Sequence, residues 1–87
     1  MLMMSQKEKL IQHILNEPQA VTFDEMKKLL GLLGFTMSNK GKTSGSRVAF
    51  YDDKGQYIVL HKPHPQKEMK RYMVIQITEK LKGMGYI

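Results

Sequence analysis

The sequence predicts a small α+β protein in the order α-α-β-β-β-α, with helices on one face of a three-stranded antiparallel sheet. Three observations lead there. Two Ser/Thr-x-x-Glu signatures each precede apolar residues at helical spacing. Two alternating segments flank an Asp52-Asp53-Lys54-Gly55 turn. A last helical run, residues 70–82, follows a proline-rich stretch.

The first helix is expected over 5–16. Ser5 caps it, Glu8 completes a capping box, and Leu10, Ile11, Ile14 and Leu15 form its apolar stripe. Pro18 stops it. His13 lies off that stripe and reads as a solvated or partly packed histidine. Thr22 and Glu25 open a second helix by the same device, and Met26, Leu29, Leu30 and Leu33 repeat as a buried face. Gly34 is placed to end this helix in a left-handed conformation, with Phe35 folding back on the last turn. Gly31 is unfavourable inside a helix by about 1 kcal/mol relative to alanine, and close packing would be one reason for it.

A short strand is expected at 35–37, then a polar loop over 38–45. Gly41-Lys42-Thr43 in that loop is not a P-loop. Threonine stands at position 36, where the pattern requires glycine, and a strand follows instead of a helix. The second strand, 46–51, turns Val48 and Phe50 one way and Arg47, Ala49 and Tyr51 the other. The third, 56–61, puts Ile58 and Leu60 opposite Tyr57, Val59 and His61. Pro63 and Pro65 end the pairing because neither can donate a ladder hydrogen bond. In the last helix Met73, Val74, Ile77 and Leu81 face inward, and Gly83 and Gly85 terminate it. Tyr86 and Ile87 either tuck against the core or fray.

Eighty-seven residues bound the chain to one modest core, read as a single domain over 1–87. The absence of cysteine excludes disulfides and thiolate metal sites and fits a reducing compartment. No apolar run approaches the ~20 residues that span a bilayer, and no signal peptide is read, so a cytoplasmic protein with no membrane partner is expected. The net charge is +6 and is unevenly spread. Residues 1–37 balance to zero, whereas 38–71 carry eight Lys/Arg against three acids. Such a concentration attracts phosphate backbones, although a solvated basic face carries similar weight.

Hairpin pairing through the 52–55 turn places Arg47 roughly opposite His61, with His64 just beyond and Lys40, Lys42, Lys62 and Lys67 around them. Imidazole can exchange protons near neutral pH, and guanidinium can neutralise a developing phosphorane. That combination suits RNA cleavage without a metal. The plainer alternative is a turn set by prolines and surface histidines. His61 and His64 lack a third metal ligand, since Asp52 and Asp53 lie at the far end of the strands; no metal and no cofactor are expected. Tyr51 and Tyr57 can stack on bases, though aromatics on a sheet face are more often packing.

Taken together, TFDEMKKLLGLLGF from Thr22, SNKGKTSGSRVAF and IVLHKPHPQKEMK resemble the HicA toxins of bacterial toxin–antitoxin systems over about residues 22–82. The resemblance implies a double-stranded-RNA-binding-domain-like α-β-β-β-α fold, with 1–20 as an additional helical extension to a 22–87 core. It implies an mRNA-cleaving ribonuclease silenced by a HicB-like antitoxin. Typical members read Gly-Ser-His at the strand start, where the histidine is the presumed catalytic residue. This chain reads Gly45-Ser46-Arg47 and so resembles a branch sharing Gly-Ser-Arg and His-Lys-Pro-His-Pro. Arginine stays protonated and cannot act as a base. The family's second histidine matches His64, and His61 is additional. The expected catalytic set is therefore His61, His64 and Arg47, and the expected RNA-binding set Lys40, Lys42, Ser46, Lys62, Lys67 and Tyr57. RNA and a HicB-like antitoxin are the expected partners, with a weak homodimer as an option. A non-catalytic RNA- or protein-binding module on the same fold is the alternative.

Overall fold

A computed structural model describes residues 5–38, 47–61 and 67–87 of the chain. Helix α1 spans Gln6–Asn16. Its capping box is formed as expected: Ser5 Oγ accepts from the Glu8 N–H at 3.2 Å, and Glu8 Oε1 accepts from the Ser5 N–H at 3.1 Å. Ile14 is buried, Leu10 and Ile11 pack at the edge of the core, and Leu15 is exposed. The apolar stripe is thus narrower than the spacing suggests, because a helix lying at the margin of a small core buries only one row.

Pro18–Ala20 forms one 3-10 turn that redirects the chain into helix α2, Phe23–Leu32. His13 spans this corner. Its Nδ1 lies 3.2 Å from Glu17 Oε1, and its Nε2 lies 3.3 Å from the Ala20 carbonyl and 3.4 Å from Glu25 Oε2. This histidine joins α1 to α2. The Thr22–Glu25 capping box is also present, at 3.1 and 2.9 Å. Phe23, Met26, Leu29 and Leu30 are buried.

Gly34 adopts φ +99°, and the Phe35 N–H donates to the Leu30 carbonyl at 2.8 Å while the Gly34 N–H donates to Gly31 at 3.1 Å. This pair of bonds closes the helix and turns Phe35 inward. Phe35 is consequently a core residue and not part of the first strand, β1, which spans Thr36–Ser38. Gly31 is exposed, and a Cβ there would touch nothing within 4 Å, so close packing does not explain it.

Strands β2, Arg47–Tyr51, and β3, Tyr57–His61, complete an antiparallel sheet in the order β1-β2-β3. Met37, Val48, Phe50, Ile58 and Leu60 share its inner face, against the helices. Arg47, Tyr51, Tyr57, Val59 and His61 are exposed on the outer face.

The segment before the last helix is stitched to the start of α2. Met69 N–H donates to the Val21 carbonyl at 2.6 Å, and Glu68 bridges Thr22 in antiparallel fashion. Helix α3, Arg71–Met84, buries Val74, Ile77, Thr78 and Leu81. It runs through Gly83 and ends only at Gly85, φ +88°, where the Tyr86 N–H donates to Leu81 at 2.9 Å. Gly83 does not terminate it, because glycine stops a helix through a left-handed φ and only Gly85 adopts one. Tyr86 and Ile87 tuck against the core; the Tyr86 ring sits 5.1 Å from that of Phe35.

Candidate functional site

The β2–β3 turn sets the phase of everything beyond it. Asp52 N–H donates to the Gln56 carbonyl at 2.9 Å, and Gly55 N–H, at φ +85°, donates back to the Asp52 carbonyl at 3.3 Å. This is a type I turn closed by a glycine bulge. Asp52 is 3% exposed, and its carboxylate accepts from the Lys54 N–H, the Gln56 N–H and amide, and Tyr86 Oη. The Tyr86 hydrogen bond and those from Gln56 and Lys54 outweigh burial and hold the Asp52 carboxyl below its usual value. The same bond, aided by burial, pushes the Tyr86 hydroxyl up to about 12.

Counting outward from this turn, the ladder pairs Tyr51 with Tyr57, Phe50 with Ile58, Ala49 with Val59, Val48 with Leu60 and Arg47 with His61. Hydrogen-bonded and non-hydrogen-bonded pairs alternate in an antiparallel ladder. Asp52 and Gln56 are a bonded pair, so Arg47 and His61 form a non-hydrogen-bonded one. In that arrangement the Cα atoms approach to ~4.5 Å and the side chains stand closest. Arg47 and His61 are therefore direct cross-strand neighbours at the open end of the hairpin, on the outer face, and both are exposed to solvent.

The same phase determines what β3 shows to its other side. Among the described strands β3 pairs only with β2. The N–H and C=O groups of Tyr57, Val59 and His61 point away from β2 and are offered at the open edge. Alongside this edge runs a groove of about 290 Å³, walled on its far side by Tyr72, Gln76 and Lys80 of α3.

Of the residues singled out in the sequence, Arg47 and His61 are brought together. Tyr57 is on their face but at the turn end, four residues from His61 and so ~13 Å away along the strand. Lys67 is exposed, ahead of the Thr22–Glu68 bridge. Lys40, Lys42, Ser46, Lys62 and His64 lie outside the described residues. Sequence reasoning missed the α3 wall. The i, i+4, i+8 spacing of Tyr72, Gln76 and Lys80 was a usable signal for a shared face, but nothing local says that this face meets a strand edge.

Beyond the first helix, an α-β-β-β-α order with a basic pair on the open sheet face defines a domain of the double-stranded-RNA-binding-like class. The family model described as the HicA toxin of bacterial toxin–antitoxin systems matches residues 23–85. The chain belongs to the HicA toxin family. No curated protein and no solved structure matches it. No helix among the described residues is long and apolar enough to cross a membrane.

Proposed function

We propose that this toxin acts in the cytoplasm by binding and cutting mRNA through metal-independent acid–base catalysis, and that a HicB-type antitoxin neutralises it. The observation that carries the reading is the direct pairing of Arg47 with His61 on an exposed face. Neutral His61 accepts the proton of a ribose 2′-hydroxyl, whose oxygen then attacks the adjacent phosphorus. Arg47 holds the non-bridging oxygens and stabilises the phosphorane. Protonated His64 donates to the leaving 5′-oxygen, giving a 2′,3′-cyclic phosphate and a free 5′-hydroxyl. Arg47 thus takes an electrostatic role at the position where typical family members carry a histidine. Lys40, Lys42, Ser46, Lys62 and Lys67 supply backbone contacts, and Tyr57 stacks on a base further along the strand. The toxin acts alone or as a weak homodimer.

The test is expression of the wild type and of a His61→Ala/His64→Ala double variant. Growth arrest and RNA fragments with cyclic-phosphate ends are expected from the wild type only. Undiminished cleavage by the double variant removes both histidines from the mechanism. A wild type that binds RNA with steep salt dependence yet leaves it uncut decides for the non-catalytic binding module, a reading that arginine at position 47 favours.

A further inference from the structure

The groove beside β3 is not used by the acid–base chemistry, yet it opens at His61. Four consecutive residues, 58–61, line one side of it. Neighbouring residues of a strand point to opposite faces, so a cavity touching all four runs along the strand's edge and not over one face. The main-chain groups that reach into it are those of Val59 and His61. Each offers one donor and one acceptor with no partner strand beyond among the described residues.

The opposite wall is α3. Tyr72, Gln76 and Lys80 project from one helix face, and Tyr72 is 58% exposed. Met73 and Ile77 form an apolar floor between the two walls. No carboxylate is among the described residues lining the groove. An aromatic ring, a side-chain amide, paired main-chain donors and acceptors, and a cation are the parts that recognise one unstacked base and its phosphate. The volume is at the lower end for small-ligand sites, where roughly 300–1,000 Å³ is usual, and suits a single nucleotide better than a helix or duplex.

We propose that this groove is a nucleobase subsite of the same RNA site, holding the base next to the phosphate at Arg47 and His61. Tyr72 stacks on the base. The edge groups of Val59 and His61, with the Gln76 amide, pair with its hydrogen-bonding edge, and Lys80 meets a neighbouring phosphate. The subsite gives the toxin a base preference beside the bond it cuts. The inference rests on the RNA-cleaving reading above for its place beside the chemistry, but base binding is measurable without cleavage.

The experiment uses the full chain and RNA dinucleotides made uncleavable by a 2′-deoxy sugar at the scissile position, in a set varying one base and including an abasic member. Affinity is followed through the amide resonances of Val59 and His61. One base is expected to bind best, the abasic member weakest, and Tyr72→Ala is expected to lose about tenfold in affinity. Gln76→Ala is expected to flatten the preference among bases and to leave the abasic dinucleotide unchanged. Base preference in the cleavage of longer RNA changes in parallel. Equal binding of abasic and base-bearing dinucleotides overturns the subsite even if RNA is cut. Saturation of the same amides by an extended acidic peptide but not by any dinucleotide assigns the edge to protein pairing instead. Base-selective binding by a protein that cuts no RNA supports the subsite and overturns the catalytic reading alone.

Discussion

Tyr86 Oη donates to Asp52 Oδ2 across 2.6 Å, joining the second residue beyond α3 to the β2–β3 turn, 34 positions earlier. The turn determines the ladder phase, and the ladder phase puts Arg47 beside His61. The C-terminal tyrosine is therefore coupled to the geometry of the site at the other end of the hairpin.

The two shifted groups give this contact a pH signature. Asp52 titrates lower in the folded state, so its contribution is present above its ordinary value of 3.8 and is lost as pH falls through the depressed one. Tyr86 is raised from 10.0 to about 12, so its contribution is complete below pH 10 and lost as pH rises toward 12. Thermal unfolding should show a lower midpoint for Tyr86→Phe at neutral pH. That variant should lose less between pH 10 and 12 than the wild type does. An identical alkaline decline in both proteins removes Tyr86 as its source.

Arg47 and His61 should respond differently to substitution. His61→Ala is expected to lower kcat/KM for RNA cleavage by roughly 10²–10⁴-fold, the usual scale for a general acid–base group. Arg47→Ala should cost about 10²–10³-fold. Arg47→Lys should recover part of that loss, because the charge survives but the planar fork does not. A lysine variant as poor as the alanine one would point to bidentate geometry. One equal to the wild type would leave only the charge.

Binding should be strongly salt-dependent. Each phosphate neutralised on single-stranded RNA contributes about −0.7 to the slope of log K against log salt. Removing one contacting cation, Lys67→Ala or Lys80→Ala, should make the slope shallower by roughly that amount. Fluorescence titrations of a short RNA across a salt series measure it, and an unchanged slope takes that lysine off the interface.

Two glycines should give opposite effects. Gly31 is helical, exposed and unobstructed, so Gly31→Ala should stabilise the protein by about 0.5–1 kcal/mol in urea unfolding. Gly85 adopts φ +88°, and Gly85→Ala should destabilise it by about 1–2 kcal/mol.

Much of this architecture was legible in the residues. Ser5–Glu8 and Thr22–Glu25 announce helix starts because a capping box involves only four neighbouring residues. Alternation around the 52–55 turn yields the Arg47–His61 pairing because register follows from turn geometry. Local reasoning fell short at Leu15, at Gly83, at the start of the first strand and at the packing suggested for Gly31. Leu15 is left exposed by the position of α1 at the core margin, Gly31 touches no neighbour and Gly83 keeps helical φ. The expected fold-back of Phe35 takes it out of the strand, which starts at Thr36.

The sequence alone was enough for the kind and order of elements, the pairing at the mouth of the hairpin and the basic character of the central region, since these follow from short-range bonding and from charge. The burial of Asp52 under Tyr86 and the meeting of the β3 edge with Tyr72, Gln76 and Lys80 came only with the folded chain. Those contacts join distant segments, and their geometry depends on how α3 packs across the sheet, which no local pattern specifies.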